Sequence, residues 1–188
     1  MKKIFFLIII IGIGALSQSV KAQFDYFGGG VTIATGGQYD FEDVTYSNKS
    51  FGFDIRASYN YNKKIKIVPD FKFYLPNKNE VFLGGGSKVT VFALNINAHY
   101  ILNPKSRDNY QLYLLAGVHV GAWNIKNDSF QAFGSQLDVD ELKITPGANL
   151  GGGMQFNAGN RTKIFAEIKY VISGASQLVF TPGLLYNL

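Results

Sequence analysis

The chain has 188 residues, of which 47% are hydrophobic, 15% aromatic and only 16% charged, and this length is consistent with one domain. Its net charge of +5 falls to +2 without the three lysines of residues 1–22, because 15 basic residues then face 13 acidic ones, so no nucleic-acid partner is expected. Cysteine is absent, which excludes disulfides, thiolate metal sites, a cysteine nucleophile and a lipidated cysteine.

The first 22 residues have the pattern of a secretory signal peptide. Lys2 and Lys3 precede an apolar run over residues 4–16, which is 13 residues long. A helix that spans a bilayer needs about 20 apolar residues. Val20 and Ala22 are small residues at the positions that precede a cleavage site. We therefore predict a signal peptide over 1–22, cleaved after Ala22, and one exported domain over 23–188.

The remaining sequence alternates apolar and polar residues with period two, which is typical of β-strands. About eight strands are predicted, at residues 24–35, 51–62, 65–75, 90–101, 110–121, 142–156, 164–170 and 177–188. Short polar turns at 62–64, 103–109 and 157–161 alternate with loops at 36–50, 76–87, 124–140 and 173–176. This alternation is typical of an outer-membrane barrel, whose turns lie on the periplasmic side.

Three prolines, Pro69, Pro146 and Pro182, fall inside predicted strands. Proline donates no hydrogen bond to a β-ladder, and a closed barrel has no free edge where that loss is harmless. Local bulges or strand ends are therefore expected at these three positions.

The two faces of the strands differ in charge. In residues 51–62, Phe51, Phe53 and Ile55 alternate with Asp54 and Arg56. Seven charged residues fall on polar faces: Asp54, Arg56, Lys66, Asp70, Lys72, Glu167 and Lys169. Each would cost several kcal/mol in lipid, whereas opposite charges pair inside a narrow barrel. We predict an all-β fold, a single eight-stranded antiparallel transmembrane β-barrel with these charges in its lumen.

Aromatic residues on the apolar faces fall near the strand ends, with mostly aliphatic residues between them. A membrane with two interfaces selects this distribution, because amphipathic rings favour the headgroup level. The residues predicted to form the two aromatic girdles include Phe51, Phe53, Tyr59, Tyr61, Tyr100, Tyr110, Tyr170 and Tyr186.

The final 20 residues, KYVISGASQLVFTPGLLYNL, place Phe180, Leu184, Tyr186 and Leu188 at alternating positions. With the strand pattern, this ending resembles the small outer-membrane β-barrel family of Gram-negative bacteria, similar to the OmpA transmembrane domain and OmpX. The resemblance implies location in the outer membrane and assembly by the barrel assembly machinery, with these four residues as the assembly signal. The family's usual last residue is Phe, whereas this chain has Leu188.

Few residues suggest chemistry. His99 and His119 lie on predicted inward faces, and no partner Ser or carboxylate is identified by spacing. Asp40, Glu42 and Asp43 lack the ordered spacing of a calcium loop. The glycine runs at 28–30, 84–86 and 151–153 precede no helix, which excludes phosphate loops. No catalytic, metal or cofactor site is predicted.

The sequence favours a non-enzymatic barrel with a polar, side-chain-filled lumen and a structural or surface-interaction role. Its loops, where Phe130 and Phe133 lie, are candidate contacts for an extracellular partner. The alternatives are a narrow porin-like channel for ions or small solutes, a lipid-modifying enzyme that uses His119, and a soluble barrel that binds an apolar ligand. Expected partners are outer-membrane lipid and the assembly machinery, and the barrel is expected to be a monomer.

Overall fold

The structure is a computed structural model that describes residues 24–41, 44–81, 85–104, 109–128 and 139–188. Eight antiparallel strands pair in chain order, and β8 pairs with β1 to close a barrel, which confirms the predicted fold. The described residues include no helix that is long and apolar enough to cross a bilayer. The strands are β1 Tyr26–Phe41, β2 Val44–Asn60, β3 Ile65–Val81, β4 Gly85–Ile101, β5 Tyr110–Asp128, β6 Val139–Asn157, β7 Thr162–Ser173 and β8 Gln177–Asn187. The predicted signal peptide lies outside the described residues.

The alternation in β2 sets which residues face the lumen. Phe51 and Ile55 are 60% and 53% exposed on the outer wall, whereas Asp54 and Arg56 are each 2% exposed inside. An inverted arrangement would place two charges in contact with lipid and apolar rings in the lumen. The hydrophobic set of this strand therefore faces outward.

Both chain termini of the barrel and three turns lie at one end, which we call the terminal end. Asparagine side chains hold two of these turns. Asn62 Oδ1 accepts from the backbone N–H groups of Lys64 and Ile65 at 2.8 and 2.9 Å. Asn103 Oδ1 accepts from Leu112 N at 2.8 Å. Turns between β2 and β3 and between β6 and β7 lie where the sequence predicts them, and residues 105–108 of the turn between β4 and β5 lie outside the described residues.

Strands extend far into three predicted loops at the opposite end. The predicted loops at 36–50, 76–87 and 124–140 are wrong for their described residues, since β1 continues to Phe41, β3 to Val81 and β5 to Asp128, and residues 42–43, 82–84 and 129–138 lie outside the described residues. These described segments have the polar and glycine-rich composition of loops. They are strands because each pairs with its hairpin partner, as β5 does with β6 out to Asn127 and Val139. The fourth loop is a tight turn as predicted, closed by Ala175 N donating to Ser173 Oγ at 3.1 Å.

Pro69 and Pro182 leave the register unchanged, so the expected bulges or strand ends are wrong there, whereas pairing of β6 with β7 ends beside Pro146. Pairing of β2 with β3 resumes in one register on both sides of Pro69, and pairing of β1 with β8 does so around Pro182. Pro146 lies just beyond the last pair of β6 and β7, so its missing N–H costs little there. The register shifts occur instead between Ala34 and Gly37 and between Tyr74 and Asn77.

The orientation of the wall predicts a position-specific cost of charge. Ile168 is 50% exposed on the outer face of β7, two residues before the aromatic ring of Tyr170. Ile168→Arg should lower the free energy of unfolding by about 2–4 kcal/mol in phospholipid vesicles, because it places a guanidinium in hydrocarbon. Urea titration checks this, with Ile168→Leu as the matched control. Equal stability of the two variants would contradict a lipid-facing wall.

Candidate functional site

Six charged side chains form a compact network across the lumen. They are three carboxylates and three cations, each at most 2% exposed, so the network is neutral as a whole: Asp54, Arg56, Asp70, Lys72, Glu167 and Lys169. They project inward from β2, β3 and β7. The structure thus brings together six of the seven lumen charges that the sequence singles out.

Arg56 joins β2 to β7. Its Nε donates to Asp54 Oδ2 at 2.6 Å, and its Nη1 and Nη2 donate to the two carboxylate oxygens of Glu167 at 2.9 and 3.2 Å. Its guanidinium also lies 4.1 Å from the ring centre of Phe165. Bidentate pairing of this kind fixes orientation as well as charge. Arg56 thereby pairs with one carboxylate on its own strand and one on β7.

Lys72 and Asp70 extend the network along β3. Lys72 Nζ lies 2.5 Å from Asp54 Oδ1 and donates to Thr181 Oγ1 of β8 at 3.1 Å. Asp70 accepts from the amide nitrogens of Asn95 and Asn97 at 2.7 and 2.6 Å. Lys169 Nζ lies 3.5 Å from Asp70 Oδ2. These contacts bring β4 and β8 into the network.

Neutral side chains link the network to the remaining strands. Asn149 of β6 donates to the side-chain oxygens of Asn95 and Asn97 at 2.9 and 2.8 Å. On β5, Tyr113 donates to Glu167 at 3.0 Å. The Thr32 hydroxyl of β1 lies 3.1 Å from that of Thr181. Every strand therefore contributes a side chain to one continuous polar cluster.

The two histidines belong to this cluster. His119 Nδ1 lies 2.8 Å from Asn95 Oδ1. His99 stacks on Tyr113 with ring centres 4.3 Å apart, and its Nε2 lies 3.5 Å from Glu167 Oε2. Both rings are almost fully buried. Both histidines thus pack within the polar cluster of the lumen.

Lys66, the seventh predicted lumen charge, lies apart from the network near the terminal end. It is 6% exposed, and its Nζ donates to the neutral side-chain oxygens of Gln111 and Gln155 at 2.9 and 3.5 Å. Within the described part of the chain, no carboxylate lies within 4.0 Å of its ammonium group. Among the described residues, the hydrogen-bond acceptors of the buried Lys66 ammonium are thus amide oxygens.

The lumen is apolar toward the end opposite the terminal end. The prediction of a polar lumen was wrong for this part. Ten buried side chains form one cluster beyond the charged network: Ala34, Tyr74, Val89, Val91, Ala93, Trp123, Ile125, Val171, Ala175 and Val179. A sequence signal exists, because strands with apolar residues on both faces, as around Val89 and Val91, indicate burial on both sides. These apolar side chains pack together in the lumen beyond the charged network.

Lumen glycines make room for large side chains. A Cβ at Gly153 would lie 2.5 Å from the Tyr113 hydroxyl, and one at Gly183 would lie 2.6 Å from the Phe165 ring. Both distances are far below van der Waals contact. These glycines let Tyr113 and Phe165 pack beside Glu167 and Arg56 in the narrow lumen.

The predicted girdle residues lie on the outer wall near the two ends of the barrel. Those near the terminal end are Tyr59, Tyr61, Tyr100, Tyr110 and Tyr186. Phe51, Phe53 and Tyr170 lie toward the opposite end, where Phe53, Phe73 and Phe92 are cross-strand neighbours. The rings of Phe73 and Phe92 are 5.2 Å apart. Mainly aliphatic wall separates the two groups.

Other candidates from the sequence are surface features or lie outside the description. Phe180, Leu184, Tyr186 and Leu188 are all exposed on the outer side. Glu42, Asp43, Phe130 and Phe133 lie outside the described residues, as does the side chain of Asp40. Within the described ranges, no three His, Asp or Glu side chains are placed to hold a metal ion.

Comparison with known proteins gives a family and a fold. The family model for the outer membrane protein β-barrel domain matches residues 6–182. No curated protein sequence matches the chain.

Solved structures share the whole architecture at low sequence identity. The attachment invasion locus protein Ail of Yersinia pestis, in complex with the heparin analogue sucrose octasulfate, is 16% identical over 87% of this chain and 97% of its own, with a TM-score of 0.59. Neisserial surface protein A also has 16% identity and a TM-score of 0.59, over 87% of this chain and 96% of its own. OprG of Pseudomonas aeruginosa has 12% identity and a TM-score of 0.59, over 87% and 94%.

The neutral network predicts that Arg56 and Glu167 are energetically coupled. Arg56→Met and Glu167→Gln should each lower the free energy of unfolding by about 3–5 kcal/mol, because each leaves an uncompensated buried charge. The double variant should cost less than the sum by about 1–3 kcal/mol, since two carboxylates and two ammonium groups then remain. Urea titration in vesicles measures this cycle.

Lys66→Met combined with Glu167→Gln is the control pair, and its costs should add because Lys66 has no bond to Glu167. Additive costs for Arg56 and Glu167 would contradict the coupling.

Proposed function

Because the chain belongs to the outer membrane protein β-barrel domain family, matched over residues 6–182, we propose that it is a closed, non-enzymatic barrel that binds a surface partner. The protein is an outer-membrane β-barrel of a Gram-negative bacterium, of the type of Ail, OmpA and OprG. In this proposal the terminal end faces the periplasm and the opposite end faces the cell exterior. The predicted signal peptide would direct its export, and residues Phe180 to Leu188 would guide its assembly.

The packing of the lumen supports a closed barrel over a channel. The neutral network links all eight strands, and the apolar cluster around Trp123 and Tyr74 lies beyond it. An ion would have to displace paired charges and then cross an apolar layer. Both steps cost several kcal/mol in a narrow barrel.

The proposed binding of a surface partner rests on one observation: at the end opposite the terminal end, some strand pairs extend farther than others. Pairing of β6 with β7 ends at Gly147 and Ser173, whereas pairing of β6 with β5 continues to Val139 and Asn127. Likewise, pairing of β1 with β8 ends at Thr35, whereas pairing with β2 reaches Phe41. In the described residues, 139–146 and 36–41 are therefore sheet edges that lack a neighbouring strand on one side. Such edges are templates for an added strand.

The chemistry of the β6 edge favours a polypeptide partner. Leu142 and Ile144 are 62% and 61% exposed there, which suits apolar contact beside main-chain hydrogen bonds. Residues 36–50, 75–89 and 124–143 contain eight acidic and five basic residues, a net charge of −3. That charge disfavours a polyanion of the kind bound to Ail. An extended peptide is the partner that this edge fits best.

A closed lumen predicts that the protein does not conduct ions. The purified protein in planar bilayers should give no steady single-channel steps, because paired charges and apolar packing obstruct the path. A general porin in the same bilayers is the positive control. Reproducible steps of constant size would contradict the closed barrel and favour the channel.

The edge predicts binding of unfolded polypeptide. The nanodisc-embedded protein should bind immobilised reduced and carboxymethylated α-lactalbumin, a permanently unfolded chain, and should not bind heparin. Leu142→Ser with Ile144→Ser should weaken this binding about tenfold, because the contact loses two apolar side chains. Biolayer interferometry measures it, with Ile144→Val as the matched control.

Binding to heparin alone, or binding that the serine variant leaves unchanged, would contradict a peptide-binding edge.

A further inference from the structure

A polar cavity of about 310 Å³ opens at the terminal end of the barrel. The turn between β6 and β7 forms most of its wall, and the start of β1 and the residue before β5 complete it. Its lining includes two cations, three amides and a phenol, and none of its lining residues is acidic: Tyr26, Asn109, Asn157, Asn160, Arg161 and Lys163. The charged side chains that line this concave site are therefore all cations.

Tyr26 connects this cavity to the buried cation described above. Its ring centre lies 4.3 Å from Lys163 Nζ and 5.9 Å from Lys66 Nζ. Two ammonium groups therefore approach one aromatic ring, which compensates part of their charge. Lys66 is only 6% exposed, and its hydrogen-bond acceptors in the described residues are amide oxygens. Positive charge therefore accumulates at the terminal end, where the cavity opens.

The nearby carboxylate of Asp25 forms no salt bridge with these cations within the described part of the chain. Asp25 Oδ2 accepts the backbone N–H of Asn60 at 2.7 Å. In the described part of the chain, Arg161, Lys163 and Lys66 have no carboxylate within 4.0 Å, and Arg161 Nη1 contacts the Tyr186 hydroxyl at 3.5 Å. This contrasts with the central network, where every cation has an acidic partner. Two cations without a salt bridge in the described part of the chain, Arg161 and Lys163, therefore line the cavity, and Lys66 lies 5.9 Å from the ring centre of Tyr26.

Charge across the molecule is asymmetric in the same sense. Residues 24–26, 61–64, 102–104 and 158–163, which lie at the terminal end, contain four basic residues and one acidic residue. The sequence segments 36–50, 75–89 and 124–143 have a net charge of −3, as given above. A field of this sign attracts anions to the terminal end in particular.

We propose that this cavity binds an oxyanion of the phosphate class. The Arg161 guanidinium supplies a planar pair of donors, the Lys163 ammonium supplies a point charge, and the asparagine amides supply neutral donors. Lys66, whose Nζ lies 5.9 Å from the Tyr26 ring centre, adds a further positive charge near the cavity. The phosphate belongs to a phospholipid headgroup of the adjoining leaflet or to a soluble phosphate compound, which share this chemistry.

The first test uses inorganic phosphate and the full chain in a phosphate-free maltoside detergent. Isothermal titration should detect saturable binding that Arg161→Gln with Lys163→Gln weakens about tenfold or more, because two charge-assisted contacts are lost. Lys63→Gln, in the neighbouring turn and outside the cavity, is the matched control and should bind as the unaltered chain does. Heat-dependent gel mobility confirms that each variant is folded.

The second test identifies the source of the phosphate. Native mass spectrometry of protein extracted from phospholipid membranes should show retained phospholipid if a headgroup is the ligand, with less retained in the Arg161→Gln, Lys163→Gln variant. Saturable phosphate binding without retained lipid assigns a soluble compound, and either result supports the site. Absence of both, or binding that the double variant leaves unchanged while folded, overturns it.

Discussion

The constraint on which this structure depends is that charge inside a narrow barrel must be paired. Arg56 satisfies it by bonding Asp54 on its own strand and Glu167 across the lumen, at 2.6 and 2.9 Å. Removing any one of the three leaves a buried charge in a region that water hardly enters. Lys72, Asp70 and Lys169 repeat the arrangement, and amides from β4 and β6 complete it. Charge pairing thereby ties together strands that are distant in sequence.

The outer wall obeys the complementary rule. Backbone groups of a membrane protein must be satisfied internally, and a closed ladder achieves this for all eight strands. Even the prolines within strands respect it, because Pro69 and Pro182 lie in ladders that resume without a change of register. Beyond β7 and β8 the ladder no longer closes, and the sheet of β1 to β6 presents edges. The part of the barrel where the ladder is not closed is the part that we propose binds a partner.

Much of the fold and part of the site follow from the sequence alone. Period two distinguished Ile55 from Arg56, and the cost of charge in lipid then assigned their faces. The tall hairpins were missed because segments such as 36–41 have loop-like composition, while their strand form depends on pairing with a neighbour. The apolar lumen cluster was missed for a related reason: the register around the barrel decides that Trp123 and Tyr74 belong to one buried cluster. Lys66 was grouped with the other charges, since spacing along a strand does not reveal that its partners on β5 and β6 are amides rather than carboxylates.

The central claim is that one face of every strand meets lipid while the other meets a packed lumen. Isoleucine methyl groups test it directly, because Ile55, Ile96 and Ile168 lie on the outer wall and Ile101 and Ile125 lie inside. In nanodiscs with protonated lipid and otherwise deuterated protein, nuclear Overhauser effects from acyl chains should reach the first three methyl-bearing residues and not the last two. Acyl-chain contacts at Ile101 or Ile125, or their absence at Ile168, would contradict the structure described.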